Sequence, residues 1–169
     1  ADRAKAAGCD RVETLPTVVD LTRYALHAPA AQESPLVIGW IGSPATAHYL
    51  QPLGPVIERL GERMALRAIA VGARRDQVAG TPFEAVTWSE QTEAAQVAAF
   101  DIGLMPLPDE PWERGKCGYK LIQYMACGVP VVASPVGANT EIVTPGMNGA
   151  LADTSEQWLA SLTELAEDP

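Results

Sequence analysis

Cysteine is scarce in this chain: Cys9, Cys117 and Cys127 are its three among 169 residues. An odd, sparse set excludes a disulfide framework and fits a reducing compartment. Each thiol is first read as a small apolar side chain. Histidine is scarcer still. His27 and His48 lie far apart, so no His/Cys metal signature can be assembled. Basic residues are outnumbered, 12 Lys and Arg against 21 Asp and Glu, for a net charge of −9. That balance argues against nucleic-acid binding, which needs a basic face. It also argues against adhesion of this domain to an anionic membrane. No apolar run approaches the ~18 residues of a membrane span. The opening ADRAKAAGCD lacks the apolar core of a signal peptide. These absences lead to the expectation of a cytoplasmic protein. The missing initiator Met leads to the expectation that the chain starts inside a longer one. What is present is an ordinary globular composition, 47% hydrophobic and 20% charged. A chain of this length buries roughly two-thirds of its unfolded surface, enough for a core without disulfide or structural metal.

The charge is uneven. Residues 1–35 carry net −1, 36–110 net −4 and 131–169 net −6. The window 111–130 alone is positive, at net +2, with Arg114, Lys116 and Lys120. A small basic island in an acidic domain is a candidate anion site, although three scattered surface charges would look the same.

Residues 1–35 read as an appendage: a helix end stopped by Gly8, a short strand over Arg11–Leu15, and a proline-bounded linker over Pro29–Pro35. From Leu36 the pattern changes. Short apolar runs at Leu36–Ile41, Leu66–Val71, Phe83–Thr87, Asp101–Met105, Val129–Ala133 and Ala150–Leu151 read as strands buried on both faces. Between them, apolar stripes predict helices over 45–63, 90–98 and 118–127, with one helical turn at 141–143. Thr154 and Gln157 form a capping-box pattern opening a last helix. Strands alternating with helices predict an α/β domain over 36–169, a parallel sheet with helices on both faces. In such sheets ligands sit at the carboxyl ends of the strands.

Among the carboxyl-end loops, Pro106–Cys117 stands out. It is long, contains the basic island and ends Gly115-Lys116-Cys117-Gly118 just before a helix. Glycines permit close backbone approach, and a helix N-terminus offers free N–H groups with partial positive charge. Lys120, in the first turn, adds a cation for a phosphate. Solvated surface lysines are the plainer alternative. The dinucleotide pattern G-x-G-x-x-G, the P-loop and the G-x-S-x-G elbow are all absent. Trp88 is a candidate to stack on a base or sugar, though a lone tryptophan is more often core or rim.

The run Gly115-Lys-Cys-Gly-Tyr-Lys-Leu-Ile-Gln-Tyr-Met-Ala-Cys-Gly-Val-Pro-Val-Val-Ala-Ser-Pro-Val-Gly-Ala-Asn139 resembles the signature of the group 1 glycosyltransferases. Glu141, Trp88-Ser-x-Gln-Thr-Glu93 and Phe100-Asp-Ile-Gly-Leu-Met-Pro106 are similar to that family as well. The resemblance spans Leu36 to Pro169. It implies a Rossmann-like half of the two-domain GT-B fold. It also implies retaining transfer of a sugar from a nucleotide-diphosphate sugar, with no metal or other cofactor. The family's two donor-site glutamates, separated by seven residues, fall here on Gly115 and Gln123. By resemblance, Gln123 takes the ribose as a neutral group, and Glu113 reaches toward the sugar in place of a side chain at Gly115. Gly118, Tyr119 and Lys120, with Lys116 before them and Leu121 after them, hold the phosphates. Gly42 and Ser43 pass close to those phosphates, His48 is the nearest basic residue beyond that loop, and Trp88 lies where the base is held. Lys120 and Glu113 are the expected catalytic residues.

In that family an N-terminal domain binds the acceptor. Residues 1–35 then read as its tail plus linker, this chain as inactive alone, and any peripheral membrane contact as belonging to that other domain. Two readings stand beside the first: a nucleotide-sugar epimerase or phosphorylase of the same fold, and a non-catalytic binding or interaction module. The departures at Gly115 and Gln123 motivate the last.

Overall fold

The computed structural model describes residues 2–13, 15–27 and 34–167. Six parallel strands form one sheet: β1 (Leu36–Ile41), β2 (Leu66–Val71), β3 (Phe83–Val86), β4 (Ile102–Met105), β5 (Val131–Ala133) and β6 (Gly149–Leu151). Their spatial order is β3-β2-β1-β4-β5-β6. This is the doubly wound arrangement of a Rossmann-like domain, with the order reversing between β1 and β4. The six runs predicted as strands are the six observed, several trimmed by a residue or two at their ends. Every side chain of β4 and β5 is buried, as a parallel sheet covered on both faces requires.

Alternation along each strand divides the core in two. Ile38 and Trp40 of β1, with Ala68, Ile102 and Val132, pack under α2 (Gly54–Gly61) and α6 (Ser155–Glu167). Ile41, Met105, Val131 and Ala133 face α3 (Glu93–Ala98), α4 (Tyr119–Ala126) and α5 (Asn139–Ile142). Fully burying a Leu such as Leu60, Leu121 or Leu162 stabilises each layer by roughly 1.5–3 kcal/mol. The predicted capping box is present: Thr154 Oγ1 accepts the Gln157 N–H at 3.3 Å, and Gln157 Oε1 accepts the Thr154 N–H at 3.2 Å.

Two expectations need correction. The stripe over 45–63 does not form one helix. Pro44–Leu53 winds as a 3-10 segment containing Pro52, and α2 starts only at Gly54 with Pro55 in its first turn. A proline lacks an N–H and clashes with the preceding turn, so the α-helix begins where Pro55 needs no donor. No strand forms over Arg11–Leu15 among its described residues. The sheet edges are β3 and β6, so that segment pairs with neither. The helix end before Gly8 is present as α1 (Asp2–Ala6), with Gly8 at φ +91°. Of the predicted linker, residues 29–33 lie outside the described set.

Residues 23–27 dock along α3 and α4. His27 donates its backbone N–H to the Cys127 carbonyl at 2.6 Å, and its ring lies between the Ala98 carbonyl (2.9 Å) and the Asp101 carboxylate (3.2 Å). Asp101 also accepts the Val37 N–H at 2.7 Å, joining this segment to the start of β1.

β1 and β4 pair in register only at Ile38–Ile102 and Gly39–Gly103. Beyond that point the Tyr124 hydroxyl bridges them, accepting the Ile41 N–H and donating to the Leu104 carbonyl, both at 3.1 Å. The two strands diverge toward their carboxyl ends, and α4 is pinned beneath the opening.

Candidate functional site

A cavity of about 720 Å³ opens at the carboxyl ends of β1, β2 and β3. Its walls come from three loops and two helices. Gly42 and Ser43 follow β1, Ala73–Arg75 follow β2, Thr87 and Trp88 follow β3, Glu93 stands on α3, and Tyr119, Lys120 and Gln123 stand on α4. The parallel ladder continues into these loops: Gly42 N–H donates to the Val71 carbonyl at 3.0 Å, and Gly72 N–H to the Val86 carbonyl at 2.8 Å. The loops are therefore positioned by the sheet itself.

Lys120 is the cation of this cavity on the α4 side. It is partly buried, and its ammonium lies 5.6 Å from the centroid of the buried Trp40 ring. Among the described residues no carboxylate is paired with it. Burial, followed by the charge of Lys116, pushes its pKa down to about 8. A Cβ on residue 42 would press into the Trp40 ring and come within 2.9 Å of Lys120 Cε. The glycine after β1 thus leaves room for the lysine to lie across the strand end.

Gly118 caps α4 in the left-handed conformation, φ +68°. A Cβ there would also stand 2.5 Å from Ile142 Cδ1. The N-cap has no side chain to take the first-turn N–H groups; that of Leu121 turns back to the Gly118 carbonyl at 2.9 Å, and those of Tyr119 and Lys120 are left for a ligand or water. Open N–H groups, helix dipole and an unpaired ammonium converge, which is the arrangement an anion requires.

Trp88 is half exposed, and its indole Nε1 donates to Glu93 Oε2 at 2.6 Å. Gln123 is buried. Its Nε2 donates to Glu93 Oε1 at 2.8 Å and to the Tyr24 hydroxyl at 3.0 Å. Tyr24 donates in turn to Glu93 Oε1 at 3.2 Å. Desolvation is the first cause that raises the Tyr24 hydroxyl to about 12, so it stays a neutral donor.

Of the residues singled out from sequence, Gly42, Ser43, Trp88, Tyr119, Lys120 and Gln123 line this one cavity. The others do not. Glu113 is buried with its carboxylate taking the Tyr49 hydroxyl. That hydroxyl is raised to about 12, first by desolvation and then by the Glu113 carboxylate. Gly115 ends a 3-10 turn, with open space where a side chain would project. The Lys116 ammonium sits 5.6 Å from the Tyr49 ring centroid. Gly118 acts from behind, as the cap, and Leu121 is fully buried in the core beneath α4. Arg114 forms an ion pair with Asp109 at 2.6 Å, so the basic island contributes one cavity residue, Lys120. His48 lines a separate cavity of about 380 Å³ with Tyr49, Pro106, Asp109 and Trp158.

Sequence reading missed Arg74, Arg75, Glu93 and Tyr24 as site residues. Arg74-Arg75 stands directly after an apolar strand run, on a carboxyl-end loop, and that signal was legible. Glu93 lies within the segment that resembles the family. Tyr24 had no signal, because it reaches Gln123 across 99 positions of sequence. Among the described residues, no three His, Cys, Asp or Glu side chains converge as metal ligands, and no helix is long and apolar enough to cross a membrane.

Comparison with solved structures finds the same fold in glycosyltransferases of low identity. The Anabaena Alr3699/HepE structure in complex with UDP and glucose matches with a TM-score of 0.67 at 18% identity, over 89% of this chain and 46% of that one. The apo lipopolysaccharide outer core galactosyltransferase WaaB matches at 0.66 and 14% identity, over 98% of this chain and 50% of that one. The pneumococcal O-GlcNAc transferase GtfA in complex with UDP and GlcNAc matches at 0.58 and 14% identity, over 86% and 31%. The chain thus spans half or less of the length of these proteins, and its sheet has the form of one half of a GT-B fold. No curated protein sequence matches it significantly. The sequence pattern of the family described as glycosyl transferases group 1 matches residues 36–168, and the chain belongs to that family.

Proposed function

We propose that this chain is the donor-binding domain of a retaining glycosyltransferase that takes a nucleotide-diphosphate sugar as substrate. The observation that carries the reading is Lys120: a partly buried ammonium without a carboxylate partner among the described residues, beside the open N-terminus of α4, at the end of the sheet where the strand order reverses. The solved relatives HepE and GtfA are complexed with UDP, which supports a nucleotide as the anion. The diphosphate lies against Lys120 and the Tyr119–Lys120 N–H groups, and the base lies toward Trp88 and the loop after β3.

Chemically, the domain holds the leaving group. As the bond from the anomeric carbon to the diphosphate breaks, negative charge grows on the departing oxygen. A preoriented ammonium and helix terminus stabilise that charge without reorganising. Lys120 and α4 do this work with no metal cofactor. The acceptor and the exclusion of water come from a second, N-terminal domain across the cleft. In this reading residues 1–35 are the tail of that domain and its linker, and the isolated chain binds donor without transferring it. Calorimetric titration of the chain with UDP, GDP and ADP, each against its own nucleoside, tests this. Diphosphate-dependent binding is expected, and equal binding of nucleoside and diphosphate would overturn it.

One observation favours a second reading. Gly115 offers no side chain to a donor sugar, and Glu113 is committed to Tyr49. A domain that keeps the nucleotide site without a sugar clasp is a non-catalytic nucleotide-binding module. A full-length protein that binds nucleoside diphosphates but neither hydrolyses nor transfers any nucleotide sugar would establish that reading over the first.

A further inference from the structure

Gln123 stands on the face of α4 three residues after Lys120, and both hydrogens of its Nε2 are committed, one to Glu93 and one to Tyr24. It has no donor left for a ligand. Glu93 is differently placed. Its Oε1 takes Tyr24 and Gln123, its Oε2 takes Trp88, and the side chain lines the cavity. All three partners are neutral donors, and no cation is paired with Glu93 among the described residues. An ionised carboxylate accepts about four hydrogen bonds, so Oε2 retains acceptor capacity on a side chain that three partners hold in place.

The position along the cavity identifies what it accepts from. Glu93 takes Trp88 on one carboxylate oxygen and Gln123 on the other, and Gln123 stands one turn after Lys120 on α4. If the diphosphate lies at Lys120 and the base toward Trp88, as proposed above, covalent order puts the ribose between them. A ribose presents a vicinal diol, two O–H donors, and a carboxylate is their strongest side-chain acceptor. Resting on that reading of the cavity, we infer that Glu93 on α3 is the residue that recognises the ribose hydroxyls, with Gln123 on α4, Trp88 and Tyr24 positioning its carboxylate. Gln123 is neutral for a reason the geometry gives. A glutamate there would set a second carboxylate at the 2.8 Å contact with Glu93, in place of a donor. The cavity thus holds one acid and one amide in hydrogen-bond contact, the acid on α3 and the amide on α4.

The test is nucleotide binding to the 169-residue chain, measured for UDP, GDP and ADP and for their 2′-deoxy forms. The native chain prefers the best-bound ribonucleotide over its deoxy form by about tenfold, one charged hydrogen bond. Glu93→Gln brings that ratio close to one, the ribonucleotide losing most of its affinity and the 2′-deoxy form, which keeps only the 3′-hydroxyl, losing less. Lys120→Ala weakens both forms alike and keeps the ratio. Gln123→Glu alone weakens both, and the exchange Glu93→Gln with Gln123→Glu restores the preference, which a merely structural role for Glu93 would not do. An unchanged ratio in a folded Glu93→Gln chain overturns the inference and leaves the donor site standing. Absence of binding by every nucleotide overturns both.

Discussion

Lys120 is the cation that α4 brings to the site, with Arg74 and Arg75 on the loop after β2 lining the same cavity. A partly buried ammonium beside an aromatic face costs the folded domain solvation and offers a bound diphosphate a charged hydrogen bond. Lys120→Ala is therefore expected to weaken nucleoside diphosphate binding by about 1–3 kcal/mol and leave nucleoside binding unchanged. Calorimetry with both ligands checks it. The pH dependence has a definite sign. The free lysine titrates at about 8, and a bound diphosphate favours its charged form, raising the pKa in the complex. Affinity is then level below that pH, where the lysine is charged in both states. It falls as pH rises through 8, by up to about tenfold per unit until the bound-state pKa is reached. Lys120→Arg, whose guanidinium keeps its charge, is expected to flatten the profile. A native profile that is itself flat from pH 7 to 10 would contradict the assignment. Glu93 is the acidic counterpart in the same cavity, its carboxylate accepting from three neutral donors.

Two elements set the geometry that these residues use. The N-terminus of α4 depends on Gly118, whose positive φ and contact with Ile142 exclude a branched side chain. Gly118→Val is expected to cost about 1–3 kcal/mol of stability by strain and overpacking and to shift the first turn of α4 away from the ligand. Thermal unfolding and diphosphate titration should change together, and a variant as stable and tight-binding as the native chain would refute this account of the cap. The segment 23–27 depends on Asp101, which holds both His27 and the Val37 N–H. Asp101→Ala leaves that N–H without its acceptor and should destabilise the domain by about 1–3 kcal/mol, read from the urea midpoint at unchanged slope. The elements themselves were largely legible. Short apolar runs such as Leu36–Ile41 and Val131–Ala133 read as strands buried on both faces, and Thr154 with Gln157 announced its helix. The break at Pro52–Pro55 was visible as residues, yet the apolar stripe continues through it, because a 3-10 segment still buries Leu50 and Leu53. The strand expected at Arg11–Leu15 rested on local propensity without a partner edge to pair with.

At the scale of the molecule, the order β3-β2-β1-β4-β5-β6 places one cavity where the sheet reverses, with its walls drawn from both sides of the reversal. Fold class and cavity location followed from the alternation of strands and helices. The residues that complete the site did not, for a physical reason. Tyr24, Glu93 and Gln123 meet through tertiary contacts spanning 30 to 99 positions, and no local pattern encodes such a meeting. In sequence Gln123 reads as a neutral ligand, whereas in the fold its amide is engaged with a neighbouring carboxylate. Glu113 reads as available in sequence, whereas in the fold Tyr49 occupies its carboxylate. The central claim is that this half of a GT-B fold holds a nucleoside diphosphate between Lys120, the α4 terminus and Trp88. An amide-resolved NMR titration of the 169-residue chain with UDP, GDP and ADP, each beside its nucleoside, tests it most directly. The account predicts diphosphate-dependent shifts at Gly42, Ser43 and Gly118–Leu121, with base-dependent shifts at the Trp88 indole. Identical shifts from nucleoside and diphosphate, or none at α4 at millimolar ligand, would contradict it.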